Sequence, residues 1–204
     1  MTIDDVMALA PVIPVLIVDD VAHARPLAEA LVAGGLRVLE VTLRTACALK
    51  AISEMATVEG AVVGAGTVLN EAQIDRAMAV GARFFVSPGL TDRLGRAAME
   101  RTVPFLPGVA TASDIMRALE LGFTRLKFFP AGASGGVATL QALSAPFGGV
   151  RFCPTGGIGP DNAASYLALP SVACVGGSWV APPGETDWAA VTARASAAAA
   201  LKHN

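Results

Sequence analysis

Eight short apolar segments recur along this chain at intervals of 20 to 26 residues, and this repeat constrains the fold more than any other feature. The segments are rich in β-forming residues, are largely apolar on both faces, and end in Gly or Pro. Strands of this kind are typical of parallel sheets that helices cover on both sides. The segments begin near Val12, Leu36, Val62, Arg83, Val103, Arg125, Arg151 and Val172.

The residues between these segments have the pattern of amphipathic helices. Residues 24–32 place Leu27, Ala30 and Leu31 on one helical face. Gly81 and Gly122 are expected to end two of the helices. Eight strands alternating with eight helices predict an α/β fold, a single compact (β/α)₈ TIM barrel with short loops. Helix N-caps are predicted at Asn70, Thr91 or Asp92, Ser113 and Asp187.

The chain is predicted to form one domain over residues 1–204, since no linker or low-complexity segment divides it. Its length is below the roughly 250 residues typical of this barrel, which leaves no room for an inserted lid. The alternative is an open, doubly wound sheet. Such a sheet usually has a glycine-rich first turn, whereas the first strand here ends at Val18-Asp19-Asp20 without glycine.

Composition argues against nucleic-acid and membrane partners. The chain has 15 Lys and Arg against 17 Asp and Glu, a formal net charge of −2, and so no basic surface for nucleic acid. The mean hydropathy is high, at +0.57. However, the uncharged stretches 128–150 and 162–184 are interrupted by Gly, Pro and polar residues, which a spanning helix would not tolerate.

The cysteines and the amino terminus point to the cytoplasm. The three cysteines are odd in number and have no CxxC spacing, which suits a reducing compartment. The first residues are acidic, so no secretory signal is expected.

Histidine is too scarce for several chemistries. The chain has only His23 and His203, so we expect no zinc site and no Ser–His or Cys–His catalytic pair. We therefore predict a protein that needs no metal and no cofactor.

Lys127 is the residue that most suggests chemistry. It is one of three lysines and lies within an apolar strand segment, Arg125-Leu126-Lys127-Phe128-Phe129. Because strand side chains alternate between faces, Leu126 and Phe128 would face the helices and Lys127 the barrel mouth. Burial favours the neutral amine, the nucleophile that forms a Schiff base with a ketone. The alternative is a structural lysine that is paired with an acid or reaches out to solvent.

Glu40 and Arg44 are the expected partners of Lys127. In a regular strand Glu40 points inward and Arg44 emerges at the rim above it. A carboxylate beside an amine can move protons during imine chemistry, and Arg44 offers a fork for a substrate carboxylate. The alternative is an ion pair with a purely structural role. Thr67, in the segment Gly64–Thr67, could hydrogen-bond to substrate.

Two glycine pairs, Gly156-Gly157 and Gly176-Gly177, are predicted to follow the seventh and eighth strands. Barrels commonly bind phosphate at this place through backbone N–H groups. Ser178 could add a hydroxyl donor. The alternative is that these glycines only allow tight turns.

Several motifs together resemble the 2-keto-3-deoxy-6-phosphogluconate (KDPG) and 4-hydroxy-2-oxoglutarate (KHG) aldolase family, over about residues 12–179. The resemblance implies a class I, metal-independent aldolase of the Entner–Doudoroff route. Such an enzyme cleaves the phosphorylated 2-keto acid KDPG to pyruvate and glyceraldehyde 3-phosphate, and many relatives also cleave KHG to pyruvate and glyoxylate. A homotrimer is implied as well. The motifs are EVTLRT (40–45), GAGTVLN (64–70), SPG (87–89), KFFPA (127–131), RFCPTGGI (151–158) and GGSW (176–179).

The resemblance also implies a role for each residue that matches a family motif. Lys127 would form the Schiff base and Glu40 would shuttle protons. Arg44 and Thr67 would hold the pyruvate carboxylate. The pyruvyl pocket would be lined by Pro88, Phe129 and Thr155, and the phosphate site would include Gly157, Gly177 and Ser178.

Other functions stay open at this point. A phosphosugar isomerase or epimerase on the same barrel would use the phosphate loops without an imine. A non-catalytic protein that binds a phosphorylated ligand would also fit those loops. A metal-dependent aldolase is disfavoured by the two histidines.

Overall fold

The computed structural model describes residues 1–202, and His203 lies outside them. Each of the eight predicted apolar segments contains a parallel strand, and the fifth segment contains two. In chain order the strands are β1 (Val12–Leu16), β2 (Val38–Thr42), β3 (Val62–Gly66), β4 (Phe85–Val86), β5 (Phe105–Leu106), β6 (Gly108–Val109), β7 (Arg125–Phe128), β8 (Arg151–Pro154) and β9 (Val175–Gly177).

A helix separates each pair of consecutive strands except β5 and β6, and one more helix lies at each end of the series. Val21–His23 form a short 3₁₀-helix. The helices are α1 (Ile3–Ala8), α2 (Ala24–Ala33), α3 (Ala48–Met55), α4 (Glu71–Ala79), α5 (Asp92–Glu100), α6 (Ala112–Glu120), α7 (Gly136–Ser144), α8 (Ala163–Leu167) and α9 (Trp188–Ala199).

Three of the predicted N-caps are confirmed, at Asn70, Thr91 and Asp187. Ser113 as the cap of α6 is wrong. Thr111 caps this helix, because its hydroxyl accepts from the Asp114 N–H while the Asp114 carboxylate accepts from the Thr111 N–H.

The parallel strands form a curled six-stranded sheet and a three-stranded sheet. The orders are β5-β4-β3-β2-β1-β9 and β6-β7-β8. The α/β fold is therefore confirmed, but the expected single eight-stranded ladder is divided. Pairing changes partner at Pro107, which has no N–H: β5 before it pairs with β4, and β6 after it pairs with β7. Isolated bridges join Phe152 to Val172 and Thr155 to Gly176.

The core has two parts, one between the strands and the helices and one inside the curl of strands. The inner cluster includes Ile13 and Val38, near the amino ends of their strands, and Val6 and Met7 of α1. Helix α1, which was not predicted, therefore covers the amino-terminal end of the interior. Its sequence signal is Thr2-x-x-Asp5, which forms a capping box. Polar side chains are left to the opposite, carboxyl-terminal end of the strands.

Candidate active site

Lys127 and Glu40 meet inside the curl of strands. Lys127 Nζ, from β7, lies 3.2 Å from Glu40 Oε1, from β2. The two residues are only 5% and 3% exposed. Burying a charge costs desolvation free energy, and an unpaired buried charge costs the most. The contact between the two side chains is therefore expected for charges at this burial. The Phe129 ring centroid lies 5.3 Å from the same Nζ, within cation–π range.

The alternation of side chains along β7 is as predicted. Leu126 and Phe128 are completely buried in the cluster between sheet and helices. Lys127 points to the other side, and its strand neighbour in register on β8 is Cys153. A lysine flanked by two such anchored residues cannot turn outward without uncovering them.

Cys153 and Cys174 lie below this pair as core residues; they are 2% and 0% exposed. The hydrogen bond with Cys153, together with burial, raises the pKa of Cys174 well above its ordinary value. Both thiols belong to the inner apolar cluster. The side chains beneath the amine are thus buried and uncharged.

The rim above the pair carries the other predicted site residues. Arg44 follows β2 and is exposed, and its guanidinium has no hydrogen-bond or ion-pair partner within residues 1–202. Thr67 follows β3, is half-buried, and has a left-handed backbone with φ 56°. Pro88 is half-buried after β4, and Thr155 is buried after β8. All four lie at carboxyl-terminal strand ends.

Gly157 lies in a turn beyond β8 that a side chain fixes. Gly156 and Gly157 have φ of 95° and 74°, values that favour glycine. Asn162 donates from Nδ2 to the Gly157 carbonyl at 3.0 Å, and its Oδ1 accepts from the Gly159 N–H at 2.9 Å. Sequence reasoning missed Asn162, although it ends a run of turn-forming residues, Gly159-Pro160-Asp161-Asn162.

The second glycine pair differs from the prediction. Gly176 and Gly177 do not follow the last strand but lie within β9. A Cβ on Gly176 would overlap Thr155 Oγ1, and one on Gly177 would overlap the Trp179 ring. These glycines therefore make room for neighbouring side chains. Ser178, directly after the strand, is exposed.

A cavity of about 370 Å³ opens beside Phe129 and Pro88. Its wall includes Asp114, which forms the capping box of α6 with Thr111 and whose position near the site was not predicted. Its other lining residues are Val68, Leu69, Gly89, Leu90, Thr91, Leu94, Gly108, Val109 and Ala110.

Among residues 1–202, no three His, Cys, Asp or Glu side chains are grouped in a way that could hold a metal ion. Over the same range, every helix is too short or too polar to cross a bilayer.

Comparison with known proteins assigns the family. Residues 3–194 match the family model for KDPG and KHG aldolase. The curated 2-dehydro-3-deoxy-phosphogluconate aldolase of Zymomonas mobilis is 58% identical over 200 residues, which cover 98% of this chain and 96% of that protein.

Two solved structures agree. The 2-keto-3-deoxy-6-phosphogluconate aldolase of Zymomonas mobilis with 3-phosphoglycerate matches with a TM-score of 0.97 at 58% identity, covering 98% of this chain and 96% of that one. The KDPG aldolase of Legionella pneumophila, with pyruvate captured as a covalent carbinolamine, matches with a TM-score of 0.95 at 45% identity, covering 98% of each chain.

The class that these matches define is the aldolases, which are carbon–carbon lyases. The chain belongs to the KDPG and KHG aldolase family. Family membership favours an aldolase over the isomerase, epimerase and non-catalytic alternatives considered from the sequence.

Proposed function

We propose that this protein is a class I aldolase that cleaves 2-keto-3-deoxy-6-phosphogluconate to pyruvate and glyceraldehyde 3-phosphate. The observation that carries the proposal is the buried pair of Lys127 Nζ and Glu40 Oε1, 3.2 Å apart. An amine held in a dry site beside a carboxylate has both the nucleophile and the proton carrier that imine chemistry needs. The carbinolamine captured in the Legionella relative supports the same chemistry.

In the proposed mechanism the Lys127 ammonium first gives a proton to the Glu40 carboxylate, and the free amine then attacks the C2 ketone. Glu40 returns that proton to the carbinolamine hydroxyl, which leaves as water. The resulting iminium ion is an electron sink. Glu40, now a carboxylate, removes the proton of the C4 hydroxyl, and the electrons of the C3–C4 bond move into the iminium. Glyceraldehyde 3-phosphate leaves, and an enamine stays on Lys127. Glu40 returns its proton to C3. Water then adds to C2 and gives a proton to Glu40, and the carbinolamine collapses to pyruvate and the Lys127 amine, which takes that proton back.

The rim residues are proposed to hold the pyruvyl part of the substrate. Arg44 is suited to the carboxylate because its exposed guanidinium has two donor edges. Thr67 adds a hydroxyl on the neighbouring strand end. Pro88, Phe129 and Thr155 are proposed to line the pocket, which agrees with the short distance between the Phe129 ring and Lys127 Nζ.

The phosphate is proposed to bind between the ends of β8 and β9, at Gly157, Gly177 and Ser178. The left-handed turn at Gly157 and the exposed Ser178 support this proposal. So does the 3-phosphoglycerate in the Zymomonas structure, a ligand that has the phosphate group. The family also supports KHG, which has no phosphate, as a second substrate.

We also propose how the two sheets are arranged. The two sheets would close into one (β/α)₈ barrel and one domain, which the bridges Phe152–Val172 and Thr155–Gly176 support. A cytoplasmic homotrimer is proposed from the family resemblance, and light scattering of the purified protein would test it.

Trapping with borohydride tests the central proposal. Incubation with pyruvate and borohydride should add one pyruvyl group, which peptide mass spectrometry should locate on Lys127. Lys127→Arg should lose the adduct and lower kcat by at least about 10³-fold, since guanidinium cannot act as the amine. Lys50→Arg is the matched control and should keep both the adduct on Lys127 and the wild-type kcat. An adduct only on Lys50 or Lys202 would reject the mechanism.

Ser178→Ala tests the phosphate site. We expect kcat/KM for KDPG to fall about tenfold, the value of one hydrogen bond to a charged group, and kcat/KM for KHG to be unchanged. Pyruvate release from each substrate, measured with a coupled dehydrogenase, gives the comparison. An equal loss on both substrates would count against the assignment.

A further inference from the structure

Gly66 is the last residue of β3, and its backbone does not require glycine. Its φ is outside the left-handed range that Gly135, Gly156 and Gly157 adopt. Within a strand, glycine lowers stability because it has no side chain to pack and loses more entropy on folding. A glycine at such a position marks a place where something else approaches the backbone closely.

The group that approaches Gly66 is the carboxylate of Glu40. A Cβ built on Gly66 would overlap Glu40 Oε1 and would lie 2.7 Å from its Cγ and 2.9 Å from its Cδ. In the sheet, Glu40 pairs in register with Gly64, and Gly66 is two residues further along the same face. The Glu40 side chain therefore leans along the strand direction, over the bare Cα of Gly66.

The oxygen that Gly66 accommodates is also the one that reaches the amine. Glu40 Oε1 accepts from Lys127 Nζ at 3.2 Å, and it is Oε1 that an added methyl group would displace. Glu40 is only 3% exposed, so its carboxylate has little free space into which it could move. A methyl group at position 66 must therefore change the contact between the carboxylate and the amine.

We infer that Gly66 is a positioning residue for proton transfer: it leaves the volume through which the Glu40 carboxylate reaches the nitrogen of Lys127. This inference rests on the proposed function for its chemical consequence. Its spatial part, the coupling of Gly66 to Glu40, stands on geometry alone. The two parts are tested separately.

The chemical test compares Gly66→Ala with Gly64→Ala. A Cβ on Gly64 would meet the Phe84 ring first, at 2.5 Å, so this control disturbs the same strand and face chiefly through a different neighbour. Exchange of the pyruvate methyl protons for deuterium, followed by NMR, reports proton transfer. The fraction of Lys127 trapped at equilibrium reports imine formation. Gly66→Ala should slow exchange about 10²-fold, the usual size of a general acid–base contribution, and keep most of the trapping. In Gly64→Ala the ratio of the exchange rate to the trapped fraction should stay within about threefold of the wild-type ratio.

The spatial test is a double-mutant cycle in thermal stability. Gly66→Ala should lower Tm in the protein that retains Glu40, because the methyl group and the carboxylate collide. With Glu40→Ala in place, Gly66→Ala should leave Tm unchanged or raise it, since the collision is gone. This readout also serves if Gly66→Ala alone folds poorly.

Three outcomes would overturn the inference: exchange at the wild-type rate in Gly66→Ala, an equal change of the ratio in Gly64→Ala, or the same loss of Tm in both backgrounds. Failure of the proposed function would look different. The wild-type protein would then form no pyruvate adduct on Lys127, while the stability cycle would still report on the coupling.

Discussion

At the scale of single residues, Thr67 combines a predicted substrate contact with a strained backbone. Its φ of 56° is unfavourable for a β-branched residue and costs on the order of 1–3 kcal/mol. Thr102 has nearly the same φ, 53°, but it is exposed just beyond α5. The two residues form a natural pair for separating strain from function.

Thr67→Gly and Thr102→Gly should both relieve strain. The gain is offset by the entropy of glycine, about 0.5–1 kcal/mol, so we expect each to raise the free energy of unfolding by roughly 1 kcal/mol. Only Thr67→Gly should raise KM for the keto acid, because it also loses the hydroxyl. Denaturant titration and steady-state kinetics measure the two effects. The assignment of Thr67 is wrong if both variants shift KM equally.

Residue-level prediction worked where strand alternation decides the outcome. Lys127 and Glu40 could be placed inside because a regular strand fixes which face each side chain takes. Gly66 could not be assigned, since its importance depends on the path of a side chain from the neighbouring strand. Gly176 and Gly177 were placed after the strand because glycines often end strands. They lie within β9 instead, where they make room for the side chains of Thr155 and Trp179.

At the scale of elements, helix α6 depends on its amino-terminal capping box. Burial raises the pKa of Asp114, but the hydrogen bonds from the Ala110 N–H and from the hydroxyl and N–H of Thr111, with the charge of Arg117, lower it below its ordinary value overall. A carboxylate whose pKa is lowered by folding stabilises the protein above its unfolded pKa. That contribution is lost as the pH falls through the folded pKa.

Asp114→Ala should therefore lower the free energy of unfolding by about 1 kcal/mol at pH 7, the usual cost of losing a cap. The difference from wild type should shrink as the pH falls below the ordinary value for Asp. Asp114→Asn is the matched control, because its amide oxygen can still accept hydrogen bonds but does not titrate. Urea titrations from pH 7 down to about pH 3 measure this. If the wild-type protein were more stable than the Asp114→Asn variant by the same amount at every pH, the argument would be contradicted.

Capping also shows where element prediction succeeds and fails. Asn70 and Asp187 were predicted correctly, because each is the last cap-forming residue before its helical pattern. Before α6, Thr111 and Ser113 are both good N-caps. Only the spacing of Thr111 to Asp114, which builds the reciprocal capping box, decides between them. Helix α1 was missed because it is only six residues long and gives too short a periodic pattern.

At the scale of the whole molecule, the repeat of apolar segments predicted where the strands lie along the chain. It did not predict that the strands divide into a six-stranded and a three-stranded sheet. Nothing in local sequence periodicity shows that the fifth segment pairs with β4 before Pro107 and with β7 after it. This change of partner depends on the stagger of strands around a curled sheet, which is a property of the whole arrangement and not of one segment.

If the two sheets form one domain, the molecule should unfold in a single cooperative step. Three probes are available: far-UV circular dichroism, the fluorescence of Trp179 and Trp188 beside the six-stranded sheet, and the reaction of Cys153 in β8 with a thiol reagent. We expect equal urea midpoints for all three, because the lysine of β7 is paired with the glutamate of β2 and neither sheet keeps its core alone. The measurement belongs in a background with Cys47→Ser and Cys174→Ala, since Cys47 is half-exposed and would react first and Cys174 is a second buried thiol; only Cys153 can then react. If Cys153 reacted at a lower urea concentration than the fluorescence change, the three-stranded sheet would be an independent unit and the single-domain proposal would fail.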